Sequence, residues 1–149
     1  MTKLLLIFVG GGIGSVLRYS MGLLVNRISN QNQSASDEST HWLMMFPAST
    51  LLVNIIGCGL IGFAWGMLGD PKDNQSLLQA TLIIGVLGGF TTFSSFGWET
   101  IEMINDARPL AAGSYVLASV TIGLLAAWAG HAIGLNISGV NPTQINSGV

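Results

Sequence analysis

The sequence predicts an all-α membrane protein, one domain of four transmembrane helices with the third helix broken. Three observations lead there. Hydrophobic residues make up 50% of the 149 and charged residues only 8%, with a mean hydropathy of +0.60, whereas a soluble domain carries about 25% charged residues. Four apolar segments, Leu4–Asn26, Phe46–Leu68, Leu77–Ile104 and Leu110–Leu135, stand out, and each exceeds the roughly 20 residues that cross a hydrocarbon core as a helix. The third is interrupted near its middle by "GGFTTFSSF", Gly88 to Phe96, where glycines and hydroxyls crowd together.

Helices are the natural form for the spans, because backbone polar groups in lipid must be satisfied internally. The hydroxyls do not alternate as they would along the short strands of a membrane barrel. The first span, 4–26, runs beyond the length of a signal-peptide core and lacks a small-x-small site, so no cleavable leader is expected. Ile28–Met45 reads as a long solvated loop carrying Asp37, Glu38 and His41. The second span, 46–68, ends at the turn "GDPKDNQS", with Asp70-Pro71 as breaker and Ser76 as an expected N-cap for the third. Pro109, after Asp106-Ala-Arg, suits the first turn of the fourth helix. The tail 136–149 is polar. Gly10/Gly14, Gly62/Gly66, Gly85/Gly89 and Gly130/Gly134 have the spacing that lets helix backbones approach closely in lipid.

Four spans put both termini on one side, with Lys3 and Lys72, while Arg27 and Arg108 face the other. The cationic asymmetry that normally orients a membrane protein is nearly absent. Balance alone leaves two readings open. Either one weak bias decides, or copies insert both ways up and pair as an antiparallel, dual-topology homodimer. The net charge of -2 and the lack of a basic cluster argue against a nucleic-acid partner, and the single Cys58 excludes a disulfide framework.

The glycine and hydroxyl run carries the functional signal. Each glycine weakens a helix by about 1 kcal/mol, and Ser and Thr compete for backbone hydrogen bonds. A break at mid-membrane is tolerated only where protein buries it or it lines a cavity, and freed helix ends there are a recurring ion site. Phe93 and Phe96 share a helix face, with Phe90 extending the row, and their ring edges are electropositive. Ser94 and Ser95 adjoin the rings. Asn54 in the second span, Arg18 in the first, and Tyr115 with Ser119 in the fourth add hydrogen-bond donors. Glu99 and Glu102 lie later, toward the far end of the third span, so the central set is donors without carboxylates, which favours an anion over a cation.

Three blocks, "GGGIGSVLRY" (Gly10 to Tyr19), "TLLVNIIGCGLIG" (Thr50 to Gly62) and "GVLGGFTTFSSFGWE" (Gly85 to Glu99), together resemble the CrcB/Fluc fluoride channels of microbes over most of the chain. The resemblance implies a single channel domain over 1–149 that forms an antiparallel dual-topology homodimer with two fluoride pores. It implies a structural sodium ion at the dimer centre, held by backbone carbonyls that map to Gly88 and Thr91. The implied pore residues are Asn54, Phe93, Phe96, Ser94, Ser95 and Thr92, with Arg18 in the vestibule, Glu99 after the break, and Tyr115 and Ser119 as a hydroxyl track. Gly123 and Ala127 stand where some members carry Ser or Thr, a departure from the pattern.

The function expected is passive export of cytoplasmic fluoride across the plasma membrane, the inner membrane in a Gram-negative cell. The rival reading is a small dual-topology proton-coupled multidrug or cation exporter, for which Glu99 would be the membrane carboxylate. An enzyme is not expected. His41 and His131 are far apart, Cys58 has no evident base partner, and no motif for metal, phosphate or acyl chemistry appears.

Overall fold

The structure, a computed structural model, describes residues 1–32, 47–68 and 77–139. The 33–46 part of the expected loop with Asp37, Glu38 and His41, the turn 69–76 with its Ser76 cap, and the tail from 140 lie outside them. Among the described residues all regular structure is helical. Helix α1 is Thr2–Asn32 and α2 is Ala48–Leu68. The third span runs Leu77–Asn105 in two halves. Its first half, α3, covers 77–90 and is mostly π-helical, over Ala80–Leu87. Its second half, α4, is Phe93–Asn105. Helix α5 is Pro109–Ser138. Among the described residues four spans, the interrupted third counted as one, are thus long and apolar enough to cross a membrane.

Two boundaries differ from the sequence expectation. Helix α1 continues to Asn32 rather than ending at 26, because Arg27 to Asn32 contains no glycine or proline to stop it. Helix α5 continues to Ser138 rather than 135 and stops where Gly139 turns left-handed, with φ 67°, a conformation cheap only without a Cβ.

The glycine pairs assemble the spans in two couples. Gly10 and Gly14 of α1 face Gly85 and Gly89 of α3. A Cβ on Gly10 would lie 2.8 Å from the Thr81 carbonyl, and one on Gly89 would lie 2.5 Å from the Gly11 carbonyl. Gly62 and Gly66 of α2 face Gly130 and Gly134 of α5. A Cβ on Gly62 would overlap the Ala127 carbonyl, one on Gly130 the Gly59 carbonyl, and one on Gly134 would lie 2.5 Å from the Phe63 carbonyl. With no hydrophobic force between helices in lipid, such backbone contact supplies the dispersion energy that holds them. The second couple runs parallel, Gly59 meeting Ala126, Gly62 meeting Ala127 and Gly66 meeting Gly134 in the same order along both helices. The first couple fixes the half-span that leads into the break.

Candidate functional site

The third span is interrupted at two residues. Thr91 (φ −77°, ψ 154°) and Thr92 (φ −147°, ψ 110°) are extended. The helix reaches Phe90, and the Thr91 N–H still donates to the Leu87 carbonyl at 3.0 Å. Four residues after Gly88, however, the Thr92 N–H donates to Asn54 Oδ1 at 2.8 Å instead of to the Gly88 carbonyl. The same amide returns the bond: Asn54 Nδ2 donates to the Thr92 carbonyl at 3.0 Å. One side chain of α2 therefore satisfies both polar groups of the extended residue, which would otherwise cost about 1–3 kcal/mol apiece when buried.

The hydroxyls divide the remaining work. Thr91 Oγ1 donates back to the Leu87 carbonyl at 3.0 Å, the local bonding that lets a threonine loosen a helix. Thr92 caps α4, its Oγ1 accepting from the Ser95 N–H at 3.2 Å, so one residue both ends the break and starts the next helix. Thr92 Oγ1 also donates to Ser95 Oγ at 3.0 Å and lies 3.3 Å from Ser94 Oγ. Thr92 is buried while Ser94 is exposed.

Two cavities flank this point. One, of about 350 Å³, is lined by Ser15, Arg18, Tyr19, Thr50, Thr92 and Ser95 among others. Arg18 Nη1 reaches from it to the Thr91 carbonyl at 3.4 Å. The other, of about 260 Å³, is lined by Asn54, Cys58, Thr91, Phe93, Phe96 and Ser119, among others. Thr92 borders both, so the break separates a cavity holding a guanidinium from a pocket walled by aromatic rings. Phe93 and Phe96 stand 5.5 Å apart, tilted by 45°, and Phe96 stands 5.2 Å from Tyr115 at 48°.

Not every expected site residue joins this set in the expected way. Phe90 does not extend the row of Phe93 and Phe96. It is buried before the break and lines an apolar cavity with Leu17, Leu60 and Leu87. Two extended residues separate it from Phe93, so the helical face is not continuous. Tyr115 is fully buried, and its hydroxyl donates to Glu99 Oε2 at 2.7 Å. Thr50 donates to the other oxygen, Oε1, at 2.5 Å. Ser119, one turn along α5 from Tyr115, keeps a buried Oγ with no hydrogen-bond partner among the described residues, in the aromatic pocket. Buried polar atoms are seldom left so.

Sequence reasoning missed Thr50 and Gly57. Both lie on the α2 side that Asn54 turns to the break, four residues before it and three after, and that spacing was the signal available.

The fold and the break define a multi-pass membrane protein with a donor-rich polar site at mid-span. The chain belongs to the CrcB-like protein family (Camphor Resistance), whose model matches residues 5–131. It is similar to proteins called fluoride-specific ion channel FluC. With that of Azotobacter vinelandii it is 40% identical over 126 residues, 85% of this chain and 91% of the relative. With that of Flavobacterium psychrophilum it is 37% identical over 130 residues, 87% and 94%. With that of Rhizobium etli it is 40% identical over 134 residues, 89% and 96%.

Proposed function

We propose that this protein is a passive fluoride channel of the plasma membrane, working as an antiparallel homodimer that lets cytoplasmic fluoride leave the cell. Hydrogen fluoride enters from acid surroundings as a neutral molecule, ionises inside, and the anion departs down its gradient. A strongly hydrated anion needs a replacement for each water hydrogen bond it loses. Arg18 attracts it into the vestibule. The hydroxyls of Thr92 and Ser95, which line that cavity, receive it there, with Ser94 Oγ 3.3 Å from Thr92 Oγ1. Beyond Thr92 stand the second N–H of the Asn54 amide, the electropositive edges of Phe93 and Phe96, and Ser119 Oγ. The single observation that carries the reading is a mid-span set of donors whose nearby carboxylate, Glu99, already has a hydroxyl on each oxygen.

That same observation weighs against proton-coupled export. Both oxygens of that carboxylate are occupied by the Thr50 and Tyr115 hydroxyls, which leaves neither facing a cationic substrate.

Pairing of two copies is supported by what one copy leaves uncovered. Phe93 is 82% exposed although it flanks a polar break, and irregular backbone cannot face lipid. The near balance of Lys and Arg on the two sides supports opposite insertion of the two copies. A sodium ion suits the break. The Gly88 carbonyl has lost its helical donor to Asn54, the Thr91 carbonyl points out of helical geometry and, beside its long 3.4 Å contact with Arg18, has a second lone pair to offer, and neutral oxygens fit a monovalent hard cation. Gly88 and Thr91 would hold it, and it would supply positive charge that fixes the two inverted copies together.

Growth of a fluoride-hypersensitive strain tests the function directly. Expression of this chain restores growth on fluoride, and a Phe93→Ala variant does not. Failure of the wild-type chain, expressed in the membrane, to rescue would contradict the reading.

A further inference from the structure

From the packing around the break, we infer that Gly57 of α2 is a positioning residue, its missing side chain forming the notch that seats the Thr91 methyl and so sets the Thr91 peptide. The functional half of this inference rests on the channel reading above. A Cβ built on Gly57 would overlap Thr91 Cγ2 and would lie 3.5 Å from Phe90 Cδ1 and 3.6 Å from Thr91 Cβ. Gly57 is buried.

Thr91 has no easy way to yield. Rotating its β-branched side chain about χ1 would move the methyl, but it would also break the 3.0 Å bond from Oγ1 to the Leu87 carbonyl. Moving the backbone instead disturbs four bonds at once. The Thr91 N–H is held by Leu87, its carbonyl by Arg18, and the next residue by the Asn54 amide. Asn54 and Gly57 are three residues apart on one face of α2, so a single helix face supplies a grip for Thr92 and a recess for Thr91. The two act in concert. Asn54 pulls the break toward α2, and Gly57 lets it come close enough for the amide to reach.

The notch differs from the glycine contacts that join helices. Those meet backbone on both sides, whereas the first atom above Gly57 is a side-chain methyl. That makes the contact testable by size exchange, because Thr91→Ser deletes the methyl and keeps the hydroxyl.

The test is a double-mutant cycle of Gly57→Ala and Thr91→Ser in the full-length protein, read in two ways. Fluoride efflux from liposomes reports the pathway, and the melting temperature in detergent reports the notch without any assumption about the ion. With Thr91 in place, Gly57→Ala lowers the melting temperature and cuts efflux on the order of tenfold or more, since sub-ångström misplacement at a preorganised site is costly. In the Thr91→Ser background, the same change costs about threefold or less and leaves the melting temperature little changed. Equal losses in both backgrounds would overturn the inference. So would rescue of melting without rescue of efflux, which would leave Gly57 as packing only. A wild-type protein that passes no fluoride overturns the channel reading and with it the functional half, while the melting cycle still decides the notch.

Discussion

Asn54 and Ser119 line the same pocket but stand in opposite conditions. Both polar sides of the Asn54 amide are engaged by Thr92, so the residue is structural before it is anything else. Asn54→Ala strands a buried N–H and C=O, and a destabilisation of about 2 kcal/mol or more is expected in thermal melts, together with loss of fluoride efflux. Ser119 Oγ has no partner to lose among the described residues. Ser119→Ala is therefore expected to leave the melting temperature unchanged or raised while fluoride efflux falls. A parallel loss of stability would show that the hydroxyl is bound after all and does not wait for an ion. The sequence made these residues legible as donors at one depth. It did not show which donors are already occupied, because occupation depends on partners 38 residues away, as between Asn54 and Thr92, or 49 away, as between Thr50 and Glu99.

At the level of elements, the break was readable and its mechanism was not. Two glycines and four hydroxyls in Gly88 to Ser95 mark a weak point in any helix. That Thr92 would cap the second half follows from ordinary helix chemistry. The π-helical stretch Ala80–Leu87 left no sign in the sequence. Its residues, "ATLIIGVL", would suit a regular helix equally well, and the wider winding arises where α3 meets α1 through Gly85 and Gly89. The link between α4 and α5 carries local strain, since Ala107 sits at φ 57°, a left-handed conformation unfavourable to a residue with a Cβ. Ala107→Gly is expected to raise stability by roughly 0.5–1 kcal/mol, the relief of that strain less the added chain entropy of glycine. Denaturation in detergent measures it, and a loss of stability would mean that the turn is not left-handed at this residue.

For the whole molecule, the four glycine pairs were visible as motifs, but their partners were not. Only the fold shows that α1 couples to α3 and α2 to α5. Gly130→Val is accordingly expected to abolish accumulation of folded protein, because its side chain would enter the Gly59 carbonyl with no room to retreat. Fluorescence size exclusion from cell membranes would show the loss of the folded peak. The same whole-molecule view bears on the proposed pairing of two copies. Arg18, the break and the exposed Phe93 need protein around them in lipid, and a second, inverted copy would supply it. With Cys58 replaced and Ser138→Cys introduced at the end of α5, the proposed dual topology predicts that a membrane-impermeant thiol reagent labels about half the copies from either side, whereas labelling from one side alone would contradict it.

The most direct measurement is ion efflux from liposomes loaded with equal fluoride and chloride, followed with two selective electrodes. A donor-lined pathway too narrow for the larger halide releases fluoride within seconds to minutes, needs no pH gradient, and leaves chloride inside. Chloride release at a comparable rate, or fluoride release only when a proton gradient is imposed, would contradict it.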